Sequence, residues 1–129
     1  MAQTNYQAAI SQRTCYLQLT GRLTYLISSV FDQFIEKLIE ECKVNQIYVD
    51  LHNTDFLDST NLVLLAKLCV YLLEKHQERA CLCSPNENVK TLLQSMGFED
   101  IAKIEKQPAT SPDDAEQVNT NIPSPRPTA

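Results

Sequence analysis

The sequence predicts a single α/β domain, in which a mixed, mostly parallel β-sheet of four to five strands carries three or more α-helices packed on it. Short β-rich segments alternate with helical segments, which is typical of strands joined by right-handed crossovers. At 129 residues and 14.6 kDa, the chain is long enough for one hydrophobic core and too short for two typical domains.

The first half of the chain predicts two strands, a helix and a third strand. Residues 15–19 are typical of a strand that ends at a Thr-Gly turn, and a weaker strand is expected over residues 6–10. Residues 46–51 are short and β-rich, as in a buried central strand. Apolar residues recur at helical spacing over residues 26–42 and predict an amphipathic helix. Its apolar face consists of Val30, Phe31, Phe34, Ile35, Leu38, Ile39 and Cys42.

The second half of the chain continues the alternation. Residues 52–57 are expected to form a loop, and the apolar run over residues 62–74 a second helix. Residues 80–83 indicate another short strand. Residues 101–104 are expected to return as an edge strand.

A capping pattern predicts a third helix before that edge strand. Ser84 is the expected cap, Pro85 occupies the first helical position, and Glu87 lies three residues after the cap. Gly97 favours the left-handed conformation that closes a helix. The helix is therefore expected between Ser84 and Gly97.

The composition changes at Gln107. Residues 107–129 contain five prolines, several Ser, Thr and Asn residues, and few large apolar side chains. Such a segment buries too little apolar surface to order itself, so we expect a disordered tail. The folded domain is predicted to span residues 1–106.

The net charge of −5 and the pI near 4.9 disfavour binding to nucleic acid or to an anionic membrane surface. The first residues are mostly polar, unlike a secretory signal, and no run approaches the roughly 20 apolar residues of a membrane span. We therefore expect a cytoplasmic protein that binds other proteins and does not insert into membranes.

Cysteine and histidine give no indication of catalysis or metal binding. The five cysteines are scattered through apolar stretches, and the pair Cys81 and Cys83 lacks the second ligand pair of a zinc site. His52 and His76 lie in no catalytic arrangement that the sequence reveals. No catalytic residue, metal or cofactor is predicted, and the free thiols fit a reducing compartment.

The most informative segment is Asp58-Ser59-Thr60, between the predicted loop and the second helix. Aspartate, serine and threonine are favoured helix caps, because their side-chain oxygens accept hydrogen bonds from unpaired backbone N–H groups. Residue types alone therefore fit both a structural cap and a functional serine.

The segment and its surroundings resemble the STAS domain family, the anti-sigma factor antagonists. The resemblance extends over about residues 14–106. It rests on the strand at residues 47–51 followed by the loop and Asp58-Ser59-Thr60, on the Thr-Gly turn within residues 19–23, and on Ser84-Pro85. It implies a single STAS-type domain and no enzymatic activity.

The resemblance also implies phosphorylation of the serine after the aspartate. That role falls on Ser59, with Thr60 as a minor alternative. The unphosphorylated form is expected to bind an anti-sigma factor or a switch-type serine kinase, and phosphorylation to block this binding. A PP2C-type phosphatase or a bifunctional regulator would remove the phosphate. Asn61 and Val63 stand where the family usually has glycines, so both positions are expected to be helical.

The expected partner surface surrounds Ser59, beyond the carboxyl end of the third strand, where open α/β sheets present functional loops. A phosphate adds about 1.5 to 2 negative charges at a helix N-terminus that tolerates them, so the charge should affect binding more than folding. The predicted partner-binding residues are Asn53, Thr54, Asp55, Phe56, Leu57, Asp58, Ser59, Thr60, Asn61, Val63 and Lys67.

Two alternatives remain open. Some domains of this family are subunits of lipid-transport or transporter assemblies, and a small thiol- or histidine-dependent enzyme is a separate class. Ser59 in the expected kinase-target position favours the phosphorylation-controlled switch over the transport subunit.

Overall fold

The structure is a computed structural model that describes residues 5–108 and 110–118. The helices of this part are α1 Ser28–Glu40, α2 Ser59–His76 and α3 Glu87–Ser95. Each predicted helix and strand forms close to its expected bounds. The strands are β1 Tyr6–Ser11, β2 Thr14–Leu19, β3 Gly21–Leu23, β4 Gln46–Asp50, β5 Thr54–Leu57, β6 Ala80–Cys83, β7 Ala102–Glu105 and β8 Glu116–Gln117.

The main sheet has six strands in the order β7-β6-β4-β2-β1-β8. β2, β4, β6 and β7 pair in parallel, whereas β1 pairs antiparallel with both β2 and β8. The predicted mixed, mostly parallel sheet is thus confirmed, with β8 extending it beyond four to five strands. β3 and β5 form a separate parallel pair.

The hydrophobic core lies between one face of the main sheet and the helices. Successive side chains of a strand point to opposite faces. In β2 and β4 the inward residues, such as Leu17 and Val49, are fully buried and cluster with the apolar faces of α1, α2 and α3. The opposite, helix-free face carries the half-buried side chains of Tyr16, Gln18, Tyr48 and Asp50.

The predicted apolar face of α1 is confirmed at its centre. Phe31, Phe34, Ile35 and Leu38 are completely buried. Val30 is 41% exposed, so its assignment to the buried face is wrong. It lies at the margin of that face, where the side chain meets solvent.

The prediction of a loop over residues 52–57 is wrong for the four residues of β5. Only Thr54 and Leu57 are buried, while Asp55 is exposed. The segment therefore lacks the alternation of apolar and polar residues by which a strand is recognised in a sequence. The Thr54 hydroxyl donates a 2.8 Å hydrogen bond to the backbone oxygen of Leu19. This bond joins β5 to the end of β2.

α3 begins later than the capping pattern predicts. Its cap is Asn86, whose side chain accepts a 2.8 Å hydrogen bond from the backbone N–H of Val89. Ser84 has a positive φ of 58°, and its hydroxyl donates to the backbone oxygen of Lys106 at 2.9 Å. The prediction of Ser84 as the cap is wrong, because the Ser84 hydroxyl forms its hydrogen bond with a residue distant in sequence.

The predicted disorder from Gln107 onward is wrong for β8 and Val118. β8 pairs with β1, and the Val118 backbone N–H donates a 2.8 Å hydrogen bond to the oxygen of Ala8. Val118 also packs against the core. Backbone pairing needs few apolar side chains, so composition did not reveal it. Residue 109 and residues 119–129 lie outside the described part of the chain.

Candidate partner-binding site at the start of α2

Asp58 caps α2. Its Oδ1 accepts hydrogen bonds from the Asn61 backbone N–H at 3.0 Å and from Asn61 Nδ2 at 2.9 Å. The Asp58 backbone N–H donates to the oxygen of Leu23 at 3.1 Å, which joins the helix start to β3. The aspartate of the motif therefore provides the cap, and Ser59 is the first helical residue.

Asn61 is completely buried and connects α2 to the segment before α1. Besides contacting Asp58, its Nδ2 donates a 2.9 Å hydrogen bond to the oxygen of Thr24. Its Oδ1 is buried with no hydrogen-bond partner among the described residues. Asn61 and Val63 are both helical without positive φ, which confirms the expectation for these two departures from the family pattern.

The Asp58 cap leaves Ser59 and Thr60 exposed to solvent. Within residues 5–108 and 110–118, neither hydroxyl forms a hydrogen bond. The first N–H groups of a helix lack intrahelical partners, and the helix dipole is positive there. Both hydroxyls are therefore accessible, and the site tolerates negative charge.

The predicted partner-binding residues differ in exposure. Thr54, Leu57 and Asn61 are buried, so their side chains do not lie on the exposed surface around Ser59. Their side chains point inward and hold β5 and α2 in place beneath the surface. Asn53, Asp55, Ser59, Thr60, Val63 and Lys67 are exposed, and Phe56 and Asp58 are half-buried.

Lys67 is exposed but already ion-paired. Its Nζ lies 3.0 Å from a carboxylate oxygen of Asp32 and also contacts Glu36, both on α1. The hydrogen bonds to Glu36 and then to Asp32 raise the pKa of Lys67. The three side chains together carry one net negative charge, so Lys67 does not offer a partner an uncompensated cation.

Exposed apolar side chains occur on α2, on α1 and in the segment before α1, and of these only Val63 was among the predicted partner-binding residues. Tyr25 is 69%, Leu26 77%, Val63 62% and Val30 41% exposed, and these four side chains are called the exposed apolar patch. The Asn61 to Thr24 hydrogen bond and the Lys67 to Asp32 ion pair place the segment around α1 alongside α2. The sequence signal was the doublet Tyr25-Leu26 directly before an amphipathic helix.

Arg22 is a further site residue that the sequence did not indicate. Its guanidinium carbon lies 4.6 Å from the centroid of the Phe56 ring. The parallel pairing of β3 and β5 places Arg22 opposite Phe56. A cation–π contact of this kind holds the Phe56 ring beside the helix start.

The cysteines are not poised for catalysis. Burial raises the pKa of Cys15, Cys69 and Cys83 to about 12, so these thiols are protonated at neutral pH. The described residues contain no group of three or more His, Cys, Asp or Glu side chains suited to hold a metal ion. Among the helices of the described part, none combines the length and hydrophobicity that crossing a membrane requires.

The fold and the site define an α/β domain with an exposed serine at the start of a helix. The family model described as the STAS domain matches residues 5–111. The chain belongs to the STAS domain family. No curated protein sequence matches the chain.

Several solved structures of anti-sigma factor antagonists have a similar fold. Unphosphorylated SpoIIAA has a TM-score of 0.68 at 21% identity, covering 79% of this chain and 89% of its own. Phosphorylated SpoIIAA from Bacillus has a TM-score of 0.63 at 19% identity, covering 79% and 92%. A putative antagonist from Thermotoga maritima has a TM-score of 0.67 at 18% identity, covering 79% and 86%. These similarities establish the fold.

Proposed function

We propose that this chain is an anti-sigma factor antagonist controlled by phosphorylation of Ser59. The observation that carries the proposal is that the adjacent residues Asp58 and Ser59 have different roles. Asp58 makes the cap, so the Ser59 hydroxyl is exposed and not needed for the helix. Two of the similar structures are of SpoIIAA without and with phosphate, which supports this role for the fold.

The surface around Ser59 fits an on/off charge. The unphosphorylated form presents Val63 and the rest of the exposed apolar patch, and burial of these side chains would favour a complex. A phosphate adds about 1.5 to 2 negative charges beside Asp58 and Asp55. A docked partner would have to desolvate that charge, whereas the isolated domain leaves it in water. Binding should therefore weaken while the fold persists.

The proposed partner is an anti-sigma factor or a switch-type serine kinase. A PP2C-type phosphatase or a bifunctional regulator would remove the phosphate and restore binding. The chain itself is a binding protein in this scheme, and its protonated, buried thiols argue against a thiol-dependent enzyme.

The test is calorimetric affinity for a partner captured with the Ser59→Ala chain as bait. Ser59→Asp should weaken binding by roughly 1.4 kcal/mol or more, a tenfold change. The matched control is Asn88→Asp, which adds the same charge to the exposed first turn of α3 and should bind like wild type. Circular dichroism confirms that each variant is folded. Wild-type affinity in both folded Ser59→Asp and the phosphorylated protein would refute the switch.

Phosphopeptide mapping tests the acceptor itself. After incubation with the captured kinase, Ser59 should carry the phosphate, and Ser59→Ala should abolish it. Thr60→Ala should retain full modification. The Thr60 hydroxyl is also exposed, but it lies one position after Ser59, the serine that the family motif marks as the acceptor. Dominant modification of Thr60 would contradict the assignment.

A further inference from the structure

Residues 110–118 form a strap that closes one edge of the main sheet. β8 pairs with β1, Val118 donates to the oxygen of Ala8, and the Ser11 hydroxyl donates to Asp114 Oδ1 at 3.1 Å. β8 and Val118 lie beyond residues 5–111, which the family model matches. The family-model match therefore does not include β8.

The strap reaches the edge by crossing the helix-free face. β7 lies at one edge of the sheet and β8 at the other, about 24 Å away at the usual strand spacing. Thr110 and Ser111 line a cleft of about 300 Å³ together with Gln18 and Asp50 of that face. Ala9, which points to the helix-free face, is only 4% exposed. The crossing segment thus covers part of this face.

The two edges of the sheet differ in charge. β7 carries Lys103 and Glu105, and charged side chains on an edge strand oppose pairing with other chains. β1 has the sequence YQAAIS, with no charged residue and no proline. An uncovered strand of this composition is a ready template for further pairing. The strap therefore protects the β1 edge from pairing with other chains, as the charged side chains protect the β7 edge.

We propose that β1 is a docking edge for a second copy of this chain, which the strap masks. The oxygen of Ala8 points to Val118. In an antiparallel ladder the N–H and C=O of a residue point the same way, so the backbone groups of Tyr6, Ala8 and Ile10 all face the strap. When the strap leaves, these groups can pair antiparallel with the same groups of another copy across a two-fold axis.

A second copy fits this edge better than an unrelated strand. β1 offers no charge pattern that would select a foreign partner, whereas identical strands match in length and backbone register. Antiparallel pairing of identical strands is also compatible with a closed two-fold dimer. The inference concerns a surface other than the Ser59 site and does not rest on the proposed function.

The experiment compares full-length variants by sedimentation equilibrium. Val118→Pro removes the N–H that donates to Ala8, and Val118→Ile is the control that keeps both the N–H and an apolar side chain. Val118→Pro should dimerise with a dissociation constant at least tenfold lower than that of wild type or Val118→Ile. Amide hydrogen exchange at low concentration should show loss of protection at Ala8 and Ile10, which confirms release of the strap.

A second variant locates the dimer interface. Gln7 is exposed on β1, so Gln7→Lys in the Val118→Pro chain places like charges near each other across the proposed two-fold pair and should restore the monomer. A monomeric Val118→Pro chain with unprotected Ala8 and Ile10 amides would overturn the proposal. So would unchanged protection of these amides, a wild type as dimeric as the variant, or a dimer that Gln7→Lys leaves intact.

Discussion

The start of α2 and the strap are both held by contacts to distant parts of the chain, but the contacts are of different kinds. At α2, specific side chains make the bonds: Asp58 accepts from Asn61, and Asn61 donates to Thr24. At the strap, backbone groups of β8 and Val118 pair with β1. The backbone pairing requires no particular residue types, although the strap also has a side-chain hydrogen bond from Ser11 to Asp114.

This difference determines how each region responds to change. A buried side-chain network is costly to alter, because a lost partner leaves a polar group unsatisfied away from water. A short backbone pairing at a sheet edge can open into water, which satisfies the exposed N–H and C=O groups. We therefore expect the start of α2 to be rigid and the strap to be the region that opens first.

The largest effect is expected for Asn61→Asp. The new carboxylate would be buried beside Asp58 without a cation, which should lower the free energy of unfolding by about 3 to 5 kcal/mol at pH 7. Burial and the Asp58 charge should raise the folded-state pKa of the new carboxyl above its unfolded value near 3.9, so the loss relative to wild type should grow as the pH rises above about 4. Urea unfolding at pH 4 and pH 7 measures the loss of stability and its dependence on pH.

Thr60→Asp is the control for that change, since it adds the same charge at an exposed position of the same helix turn. It should change stability by less than about 0.5 kcal/mol. Equal losses in Asn61→Asp and Thr60→Asp would mean that charge alone, and not the buried network, determines the response.

A smaller effect is expected for removal of the caps. Asp58→Ala should destabilise the protein by about 2 kcal/mol, at the upper end for a cap, because Asn61 Nδ2 also loses a partner. Asn86→Ala removes the cap of α3 and a 3.1 Å hydrogen bond from Asn86 Nδ2 to the oxygen of Thr54, and it should cost about 1 kcal/mol. Thermal and urea unfolding provide the comparison. A larger loss in Asn86→Ala would show that the Asn61 bridge contributes little.

Shortening the apolar side chain of the strap should have a smaller effect still. Val118 is half-buried against the core, so Val118→Ala should lower the free energy of unfolding by about 1 kcal/mol. Glu116→Ala, at an exposed strap position, should have almost no effect. Hydrogen exchange should show the Val118→Ala loss at β1 and not at α2. A change in α2 protection would mean that the two regions are coupled.

The smallest effect is expected at the candidate phosphoacceptor. Ser59→Ala removes an exposed hydroxyl that makes no hydrogen bond in the described part of the chain, so stability should stay within about 0.5 kcal/mol of wild type. The measurement is urea unfolding, with Asp58→Ala as the reference for a true cap. A loss as large as that of Asp58→Ala would make Ser59 part of the cap.

Much of the site was predictable, because its signals are local. The Asp58-Ser59-Thr60 motif marked the helix start, and helical positions were expected for Asn61 and Val63. The sequence could not assign the cap to Asp58 and exposure to Ser59, since all three residue types can cap a helix. It also could not show that Thr54 and Leu57 point inward, because the pairing of β5 with β3 decides their orientation.

The sequence by itself determined the elements that depend on side-chain period: the amphipathic α1, the apolar α2 and the central strands β2 and β4. Only the tertiary structure decided which segment pairs with each edge strand of the sheet. Composition predicted disorder for the strap, because it counts the apolar side chains that a segment can bury. β8 is ordered by N–H and C=O groups, which nearly every residue carries, and only the folded sheet provides the free β1 edge that they need.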